Sequence, residues 1–435
     1  MKAAFHTLGC KTNAYETQAI IEQFQNAGFE IVPFSERADV YLINTCSVTA
    51  VAAQKSRQML HRCKKLSPDS LVVACGCYAQ ESAEGLLADG GVDLVVGNNE
   101  KSKVLELVEQ ALSESSSGKI LVDDLTHCSA YEPQTITNAG SHVRAYVKIQ
   151  DGCNRFCSYC IIPFLRGRSR SRAPEEILEE IRILADSGIK EIVLTGIDIS
   201  DYQSPEGETD LAGLILEAEK IEGIERIRLG SLEAGIITDA FLEKICESKT
   251  FCPHFHLSLQ SGCDETLRRM NRHYTSGEFL ETVKKLRSIF PDAAVTTDVI
   301  AGFAGETEEE FSVTKEFVQK AAFSQMHVFP YSRRKGTKAD RMPGQLSKAQ
   351  KSARAAELIR IGEEMQQEYM KRFLGTPVQI LTEEVIRIDG EEYLTGYTPQ
   401  YVKAAVRGGR ENINTILTLT PEKIIVHQKE FLLLE

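Results

Sequence analysis

Asp151-Gly152-Cys153-Asn154-Arg155-Phe156-Cys157-Ser158-Tyr159-Cys160 carries three cysteines, separated first by three residues and then by two. Thiolates this close together are natural ligands for soft iron or zinc, and three protein ligands leave one coordination position unfilled. In a 4Fe–4S cube that vacancy falls on one iron, where a small molecule can bind. The competing reading is a zinc knuckle whose fourth ligand lies elsewhere, but no Cys or His follows at a short zinc-finger interval.

Outward from this stretch, short apolar runs alternate with longer amphipathic ones. Between Arg144 and Tyr331 the candidate strands are Tyr146–Ile149, Glu191–Leu194, Arg226–Leu229, His256–Leu259, Ala294–Val299 and Met326–Phe329. The first intervening helix opens at Pro174, a favoured first-turn position, and lines Ile177, Ile181 and Leu184 along one face. Six such units predict a partial (β/α)6 barrel with its functional edge at the strand carboxyl ends, where the three cysteines fall. Other loops on that edge carry Thr195 and Gly196, Ser231, Gln260 and Ser261, and Gly302 and Gly305. Glycines admit a ligand close to the backbone, and hydroxyl and amide side chains can orient it. Ordinary β-to-α turns favour the same residue types, so only the shared edge gives these loops weight.

The cysteine spacing, with Tyr159 just before the third cysteine, resembles the radical S-adenosylmethionine (SAM) signature. That resemblance implies a 4Fe–4S cluster on Cys153, Cys157 and Cys160. It also implies a SAM cradle in the neighbouring loops, with Tyr159 near the adenine.

The amino-terminal third repeats the β-then-α order, with strands at Ala3–Thr7, Val40–Asn44, Leu71–Ala74 and Leu94–Val96 and helices around Thr17–Ala27, Ala50–Lys64 and Ser102–Leu112. This order predicts a parallel sheet covered on both faces. Cys10, Cys46 and Cys77 each follow one of those strands, on the edge where parallel sheets bind ligands. Three small buried hydrophobes are the alternative, since free Cys is often buried. Cys75 complicates the choice, being two residues before Cys77 and so on the same face if the strand continued, but Cys77 follows the Gly and lies nearer the loop; Cys63 lies within a helix and suits a core.

Gly9-Cys10-Lys11-Thr12-Asn13-Ala14-Tyr15-Glu16, Asn44-Thr45-Cys46-Ser47-Val48-Thr49 and Gly76-Cys77-Tyr78-Ala79-Gln80 resemble the amino-terminal domain of the methylthiotransferases. In that family Cys10, Cys46 and Cys77 would hold an auxiliary 4Fe–4S cluster. Lys11, Tyr15-Glu16 and Ser47-Val48-Thr49 look like the branch acting on N6-threonylcarbamoyladenosine in tRNA. The isopentenyladenosine branch usually has Gln-Met after the first cysteine, and the branch acting on a ribosomal-protein aspartate has Pro-Lys. Thr12 departs from the Val common in the first branch.

Ser113-Glu114-Ser115-Ser116-Ser117-Gly118 breaks the helical pattern, and the polar region to about His142 reads as a linker. A helix from Ser347 to about Phe373 precedes five short strands: Val378–Leu381, Tyr393–Gly396, Val402–Val406, Ile416–Leu419 and Ile424–Val426. These predict a small β-barrel. Gly396-Tyr397-Thr398-Pro399-Gln400-Tyr401 resembles a loop of the RNA-binding TRAM domain; Tyr397 and Tyr401 are candidates to stack on bases, with packing of the barrel as the alternative. The expected fold is α/β: a parallel α/β amino-terminal domain (1–118), a linker (119–142), a radical SAM domain (143–370) and a TRAM domain (371–435).

The 435-residue chain carries a net charge of −12 and 12 cysteines. Its start has no signal-peptide pattern and no run of about 18 apolar residues occurs. Cytoplasmic localisation, no membrane, and cysteines used for metal rather than disulfides are expected. Negative net charge disfavours a nucleic-acid partner unless positive charge is concentrated locally. Arg166-Gly167-Arg168-Ser169-Arg170-Ser171-Arg172 is one such concentration, and Arg333–Lys338 is a second. The first would hold phosphates of an anticodon loop; a solvated face is the plain alternative.

The resemblance implies an enzyme with two 4Fe–4S clusters and SAM that places a methylthio group on an adenosine 3′ to the anticodon. An electron donor such as flavodoxin or ferredoxin and a sulfur source are required. The 5′-deoxyadenosyl radical from SAM would abstract hydrogen from carbon 2 of the base. The rivals are the same chemistry on isopentenyladenosine or a ribosomal-protein aspartate, and a non-catalytic iron–sulfur RNA-binding protein. No residue is assigned as general acid or base; Asp198 suits proton handling, SAM contact or a structural turn equally.

Overall fold

The computed structural model describes residues 1–114, 118–128, 130–140, 142–428 and 430–435; Ser115–Ser117 of the expected break lie outside the described residues. The amino-terminal strands are β1 (Lys2–Thr7), β2 (Glu30–Ile31), β3 (Val40–Thr45), β4 (Leu71–Gly76), β5 (Leu94–Val96) and β6 (Lys119–Leu121). They pair in parallel in the order β2-β1-β3-β4-β5-β6. All of β3 is buried, as expected of a strand covered on both faces. Val40 and Leu42 pack into one apolar layer, and Tyr41 and Ile43 into the other. Lys119–Leu121, read as linker, is instead the sixth strand of this sheet; three residues without a polar–apolar rhythm gave no strand signal.

The first helix spans Lys11–Asn26, beginning six positions before the expected Thr17. Cys10 is its N-cap, in extended conformation. The first turns bury Thr12, Asn13, Tyr15 and Glu16, and these polar residues hide the amphipathic pattern that marks a helix in sequence.

The central strands are β7 (Arg144–Lys148), β8 (Gln150–Asp151), β9 (Arg170–Ser171), β10 (Glu191–Thr195), β11 (Arg226–Leu229), β12 (Ser231–Leu232), β13 (His254–Gln260), β14 (Ala294–Ala301) and β15 (Gln325–Pro330). They form parallel sheets in the orders β11-β10-β7 and β12-β13-β14-β15, while β8 and β9 make an antiparallel pair. Alternation is regular along them. Ala145, Val147, Ile192, Leu194, Ile227, Leu229, Phe255 and Leu257 join one core with the surrounding helices. The intervening residues Arg144, Lys148, Glu191, Arg228, His254 and His256 carry charge or polarity to the opposite face.

The helix Lys348–Lys371 opens with a capping box between Ser347 and Gln350. The chain ends in β16 (Val378–Ile388), β17 (Glu391–Tyr397), β18 (Lys403–Arg407), β19 (Ile416–Leu419), β20 (Lys423–His427) and β21 (Glu430–Leu434). These six strands form one sheet in the order β19-β16-β17-β18-β21-β20, one strand more than expected. Its apolar side, with Ile380, Ala404, Leu419 and Leu433, packs on Tyr369, Met370 and Phe373 at the end of the preceding helix. Among the described residues no helix is long and apolar enough to cross a membrane.

Candidate functional site

Cys10, Cys46 and Cys77 follow β1, β3 and β4, which are neighbours in the sheet. Gly76 permits the turn into Cys77 with φ +90°, and a Cβ there would stand 2.3 Å from Asn44 Oδ1 and 2.5 Å from the Thr45 carbonyl oxygen. A Cβ on Gly9 would lie 2.9 Å from Cys46 Sγ, so the loop before Cys10 runs directly against Cys46. Cys75 is buried in the apolar layer with Val73 and Leu94, whereas Cys77 packs with Ile161 and Leu165 beside Cys160.

The sulfurs meet a consistent set of donors. The Arg155 amide donates to Cys153 Sγ at 3.4 Å, Arg272 Nη1 to Cys157 Sγ at 3.3 Å, and Asn98 Nδ2 to Cys77 Sγ at 3.9 Å. The Val48 and Ile162 amides approach the Cys46 and Cys160 sulfurs. Burial pushes the Cys46 thiol up to about 11, with the Val48 amide opposing and Cys77 and Cys10 adding to the rise. Burial, reinforced by Cys157, pushes Cys160 up to about 12, and Cys77 acts on it as well. Such thiols ionise when a metal supplies positive charge.

Ser47 Oγ, Asn98 Oδ1 and Arg166 Nε are buried without a protein partner. Ser47 follows Cys46, Asn98 bonds Cys77, and Arg166 acts electrostatically on both Cys46 and Cys77. The O–H of Ser47 and N–H of Arg166 suit the sulfur acceptors of a cluster. Among the described residues no group of three or more His, Cys, Asp or Glu side chains forms a cage for one metal ion. A cube makes no such demand, because each thiolate takes a different iron. The donor sets fit iron–sulfur clusters.

Direct bonds hold the two cysteine regions together. Thr12 Oγ1 donates to the Gly196 carbonyl at 3.2 Å, Asn98 Nδ2 to the Leu165 carbonyl at 2.9 Å, and the Ala50 amide to Ser332 Oγ at 3.1 Å. Arg334 pairs with Glu81 at 2.5 Å. The carboxyl edges of the two parallel systems therefore face each other.

Among the other expected site residues, Tyr159 meets Phe303 edge-on at 6.4 Å, and Phe303 meets Tyr331 at 5.0 Å, making an aromatic wall beside Cys160. Thr195 is buried at the end of β10. Gly196 lies under Gln150, whose Oε1 accepts from the Ile197 and Asp198 amides at 3.0 and 2.8 Å. Ser231 is exposed at the start of β12, and Gln260 ends β13 with φ +68°. Ser261 is turned to loop structure, its Oγ accepting from the Cys263 amide at 3.2 Å and meeting Thr314 Oγ1 at 3.3 Å. Gly302 and Gly305 are packed by protein: a Cβ on Gly302 would stand 2.7 Å from Lys351 Cγ, and the Gly305 amide donates to the Gly344 carbonyl at 2.8 Å. Asp198 pairs with Arg155 at 2.8 Å beside Cys153.

The arginine strip departs from its expected role. Arg166, Arg170 and Arg172 are buried, and only Arg168 is exposed. Arg166 donates to Glu16 at 2.9 Å, to Asp151 at 3.1 Å and to Asn13 Oδ1 at 2.7 Å. Glu16 also pairs with Lys101 and, at 2.8 Å, with Lys148. Arg170 donates to the Arg166 carbonyl at 2.6 Å, and Arg172 pairs with Glu180. Alternation with small residues allows such inward turning, which charge counting alone does not register. Tyr397 and Tyr401 stack on each other at 4.4 Å, and Tyr401 stacks on His254 at 4.9 Å. Arg144 lies over both tyrosines, so these rings join the carboxyl-terminal sheet to the central strands instead of standing free for bases.

Gln150, Asn98 and Arg272 went unmarked in the sequence. Gln150 was legible as the continuation, just past β7, of the polar register Arg144, Tyr146, Lys148, in a strand whose parallel pairing usually favours apolar residues on both faces. Asn98 and Arg272 lie in loops and had no such signal. Lys11 lies within the field of Arg228, Arg144 and Glu191: burial, followed by Arg228 and Arg144, lowers its ammonium to about 8, with Glu191 opposing.

The Radical SAM superfamily matches residues 147–318, and the uncharacterised protein family UPF0004 matches residues 2–97. The chain is 41% identical to the threonylcarbamoyladenosine tRNA methylthiotransferase MtaB of Bacillus subtilis, covering 95% of this chain and 92% of that protein. It is 34% identical to the tRNA-2-methylthio-N(6)-dimethylallyladenosine synthase of Syntrophus aciditrophicus, covering 87% and 82%. Its fold is similar to that of the radical SAM methyltransferase TsrM from Kitasatospora setae, with TM-score 0.58, 14% identity, and coverage of 78% of this chain and 77% of that one.

Proposed function

The chain belongs to the radical SAM methylthiotransferase family, and from that premise we propose that it converts N6-threonylcarbamoyladenosine next to the anticodon of tRNA to its 2-methylthio derivative. The observation that carries the reading is the convergence of two three-cysteine sets on facing strand edges, with Cys77 and Ile161 packed together between them. Cys10, Cys46 and Cys77 would hold an auxiliary 4Fe–4S cluster; Cys153, Cys157 and Cys160 would hold the second, at which SAM would bind. When bound, these groups supply radical chemistry at an unactivated C–H position and the methylthio sulfur.

The protein's own part is placement and exclusion of water. Gln150 fixes the loop carrying Ile197 and Asp198 by accepting both amides. Tyr159, Phe303 and Tyr331 give the cysteine loop an apolar wall. The central strands would curl as a partial (β/α)6 barrel, with Arg144, Glu191, Arg228, His254 and His256 lining its interior and Lys11 entering from the auxiliary side. Arg144 and Arg228 are committed to Glu383, Glu191 and the Thr398 carbonyl, and His254 to the Tyr401 ring, so Lys11 is the cation left to meet the carboxylate of the base, which an isopentenyl group lacks.

The domains we assign are 1–118, extended by the Lys119–Leu121 strand, then a joining segment to 142, a radical SAM domain over 143–370 and a TRAM barrel over 371–435. For RNA contact the exposed Arg168 remains, with its guanidinium over Phe156 at 4.5 Å, together with exposed Arg333, Lys335 and Lys338. The reaction is placed in the cytoplasm, with a low-potential donor such as flavodoxin or ferredoxin and a separate sulfur source.

The test is anaerobic turnover of the reconstituted chain on two matched tRNAs, one bearing threonylcarbamoyladenosine and the other isopentenyladenosine. Methylthiolation of the first alone supports the reading; methylthiolation of the second alone moves the chain to the other branch.

A further inference from the structure

Arg272 follows the helix Asp264–Arg269 in a turn that grips the cysteine loop. The Ser158 amide donates to the Met270 carbonyl at 2.9 Å, Ser158 Oγ to the Arg269 carbonyl at 2.8 Å, and Asn271 Nδ2 to the Phe156 carbonyl at 3.1 Å. From this turn the guanidinium reaches Cys157 Sγ at 3.3 Å through Nη1. Its other nitrogens are fixed as well: Nε donates to Tyr274 Oη at 3.2 Å, and Nη2 donates to the Ser258 carbonyl at 3.0 Å and pairs with Glu233. The Arg272 side chain is 4% exposed and Glu233 is 16% exposed, so solvent screens neither strongly.

We infer that Arg272 is a positioning residue that raises the reduction potential of the cluster held by Cys153, Cys157 and Cys160, with Glu233 as the opposing charge. The inference rests on the cluster assignment proposed above. One-electron reduction from the 2+ to the 1+ cluster adds negative charge to the iron–sulfur–thiolate unit. A fixed cation hydrogen-bonded to one thiolate favours the product of that step, and hydrogen bonds and net charge set such potentials. The electron comes from a low-potential one-electron reductant. Arg155 does not duplicate the contact: its guanidinium bonds Asp198 at 2.8 Å and Asp201 at 3.2 Å, whereas that of Arg272 bonds a cysteine sulfur as well as a carboxylate.

A cavity of about 80 Å³ lined by Arg155, Cys157, Glu233, Asn271, Arg272 and Tyr274 adjoins the contact. Truncation would let water reach the sulfur, so the informative substitutions keep volume. The experiment is an EPR-monitored redox titration of the reconstituted full chain, with dithionite and mediators. The relevant signal is the one lost when Cys153, Cys157 and Cys160 are replaced together. Arg272→Gln should lower the reduced-to-oxidised ratio at a fixed potential about tenfold, equivalent to about 59 mV for a one-electron couple. Glu233→Gln should move the midpoint in the opposite direction, and Arg272→Lys should stay near the wild type. Unchanged midpoints, or both Gln variants moving the same way, would overturn the inference. If Arg272→Gln fails to take up iron, Glu233→Gln decides alone: a raised midpoint supports the tuning and an unchanged one overturns it. Absence of the signal from the wild-type chain would instead overturn the cluster assignment, and the inference with it.

Discussion

Arg166, six residues beyond Cys160, donates from Nη2 to Oδ1 of Asn13, three residues beyond Cys10, at 2.7 Å. One buried guanidinium thus spans the two segments that carry the expected cluster ligands. The same side chain bonds Glu16 and Asp151, so the two cysteine segments share a scaffold.

That scaffold has a measurable energy. Glu16 is fully buried among Arg166, Lys101 and Lys148, and removing one member of such a network leaves the others uncompensated. Glu16→Gln should destabilise the protein by about 3–5 kcal/mol in denaturant unfolding. Burial alone would raise the Glu16 carboxyl, but Arg166, Lys101 and Lys148 together hold it well below the ordinary range. The stabilisation is therefore present above the unfolded carboxylate value of about 4.3 and lost as pH falls through the folded value. The gap between wild type and Glu16→Gln should narrow as the measurement moves below about pH 4.

Much of this was legible in the sequence, and the failures share a physical origin. β3, β4 and β5 show as apolar runs because both their faces are covered, and the cysteines at strand ends follow from parallel pairing. The first helix and the arginine strip misled because both spend polar side chains inward. Thr12, Asn13 and Glu16 look like a solvated loop until Arg166 and Lys148 are placed beside them. Arg170 and Arg172 look like a phosphate surface until Arg170 meets a backbone carbonyl and Arg172 meets Glu180. Glu16 finds Lys148 and Arg166 more than a hundred positions away, which leaves no local pattern; Arg170 and Arg172 find partners within eight positions, but charge counting does not show that they turn inward.

RNA contact is correspondingly narrower than the strip suggested. Arg168→Gln should reduce the salt slope of tRNA binding by about 0.7–0.9, the value of one phosphate contact. SAM cleavage without tRNA should persist. Filter binding across a salt series provides the measurement, and an unchanged slope removes Arg168 from the interface.

Iron content separates the two sites. The wild-type chain should carry about eight irons after anaerobic reconstitution, and about four when either Cys10, Cys46 and Cys77 or Cys153, Cys157 and Cys160 are replaced by Ala. Cys75→Ala should retain both clusters, because Cys75 faces the apolar layer of Val73 and Leu94. Iron analysis with Mössbauer spectroscopy checks all three, and loss of a cluster in Cys75→Ala would reassign the auxiliary ligands.

Substrate choice should depend on Lys11. Replacing it with Ala removes a cation from the polar interior without touching a cysteine. Preference for threonylcarbamoyl over isopentenyl tRNA should fall at least about tenfold in competition turnover. Equal loss on both substrates would assign Lys11 to general architecture instead.

The most direct test of the central claim is nucleoside mass spectrometry of total tRNA from cells with and without this chain, in a background without a redundant enzyme. The account predicts that 2-methylthio-threonylcarbamoyladenosine disappears on deletion and returns with the wild-type chain, but not with the Cys153/Cys157/Cys160 variant. Persistence of that nucleoside, with loss of 2-methylthio-isopentenyladenosine or of no methylthio nucleoside at all, would contradict it.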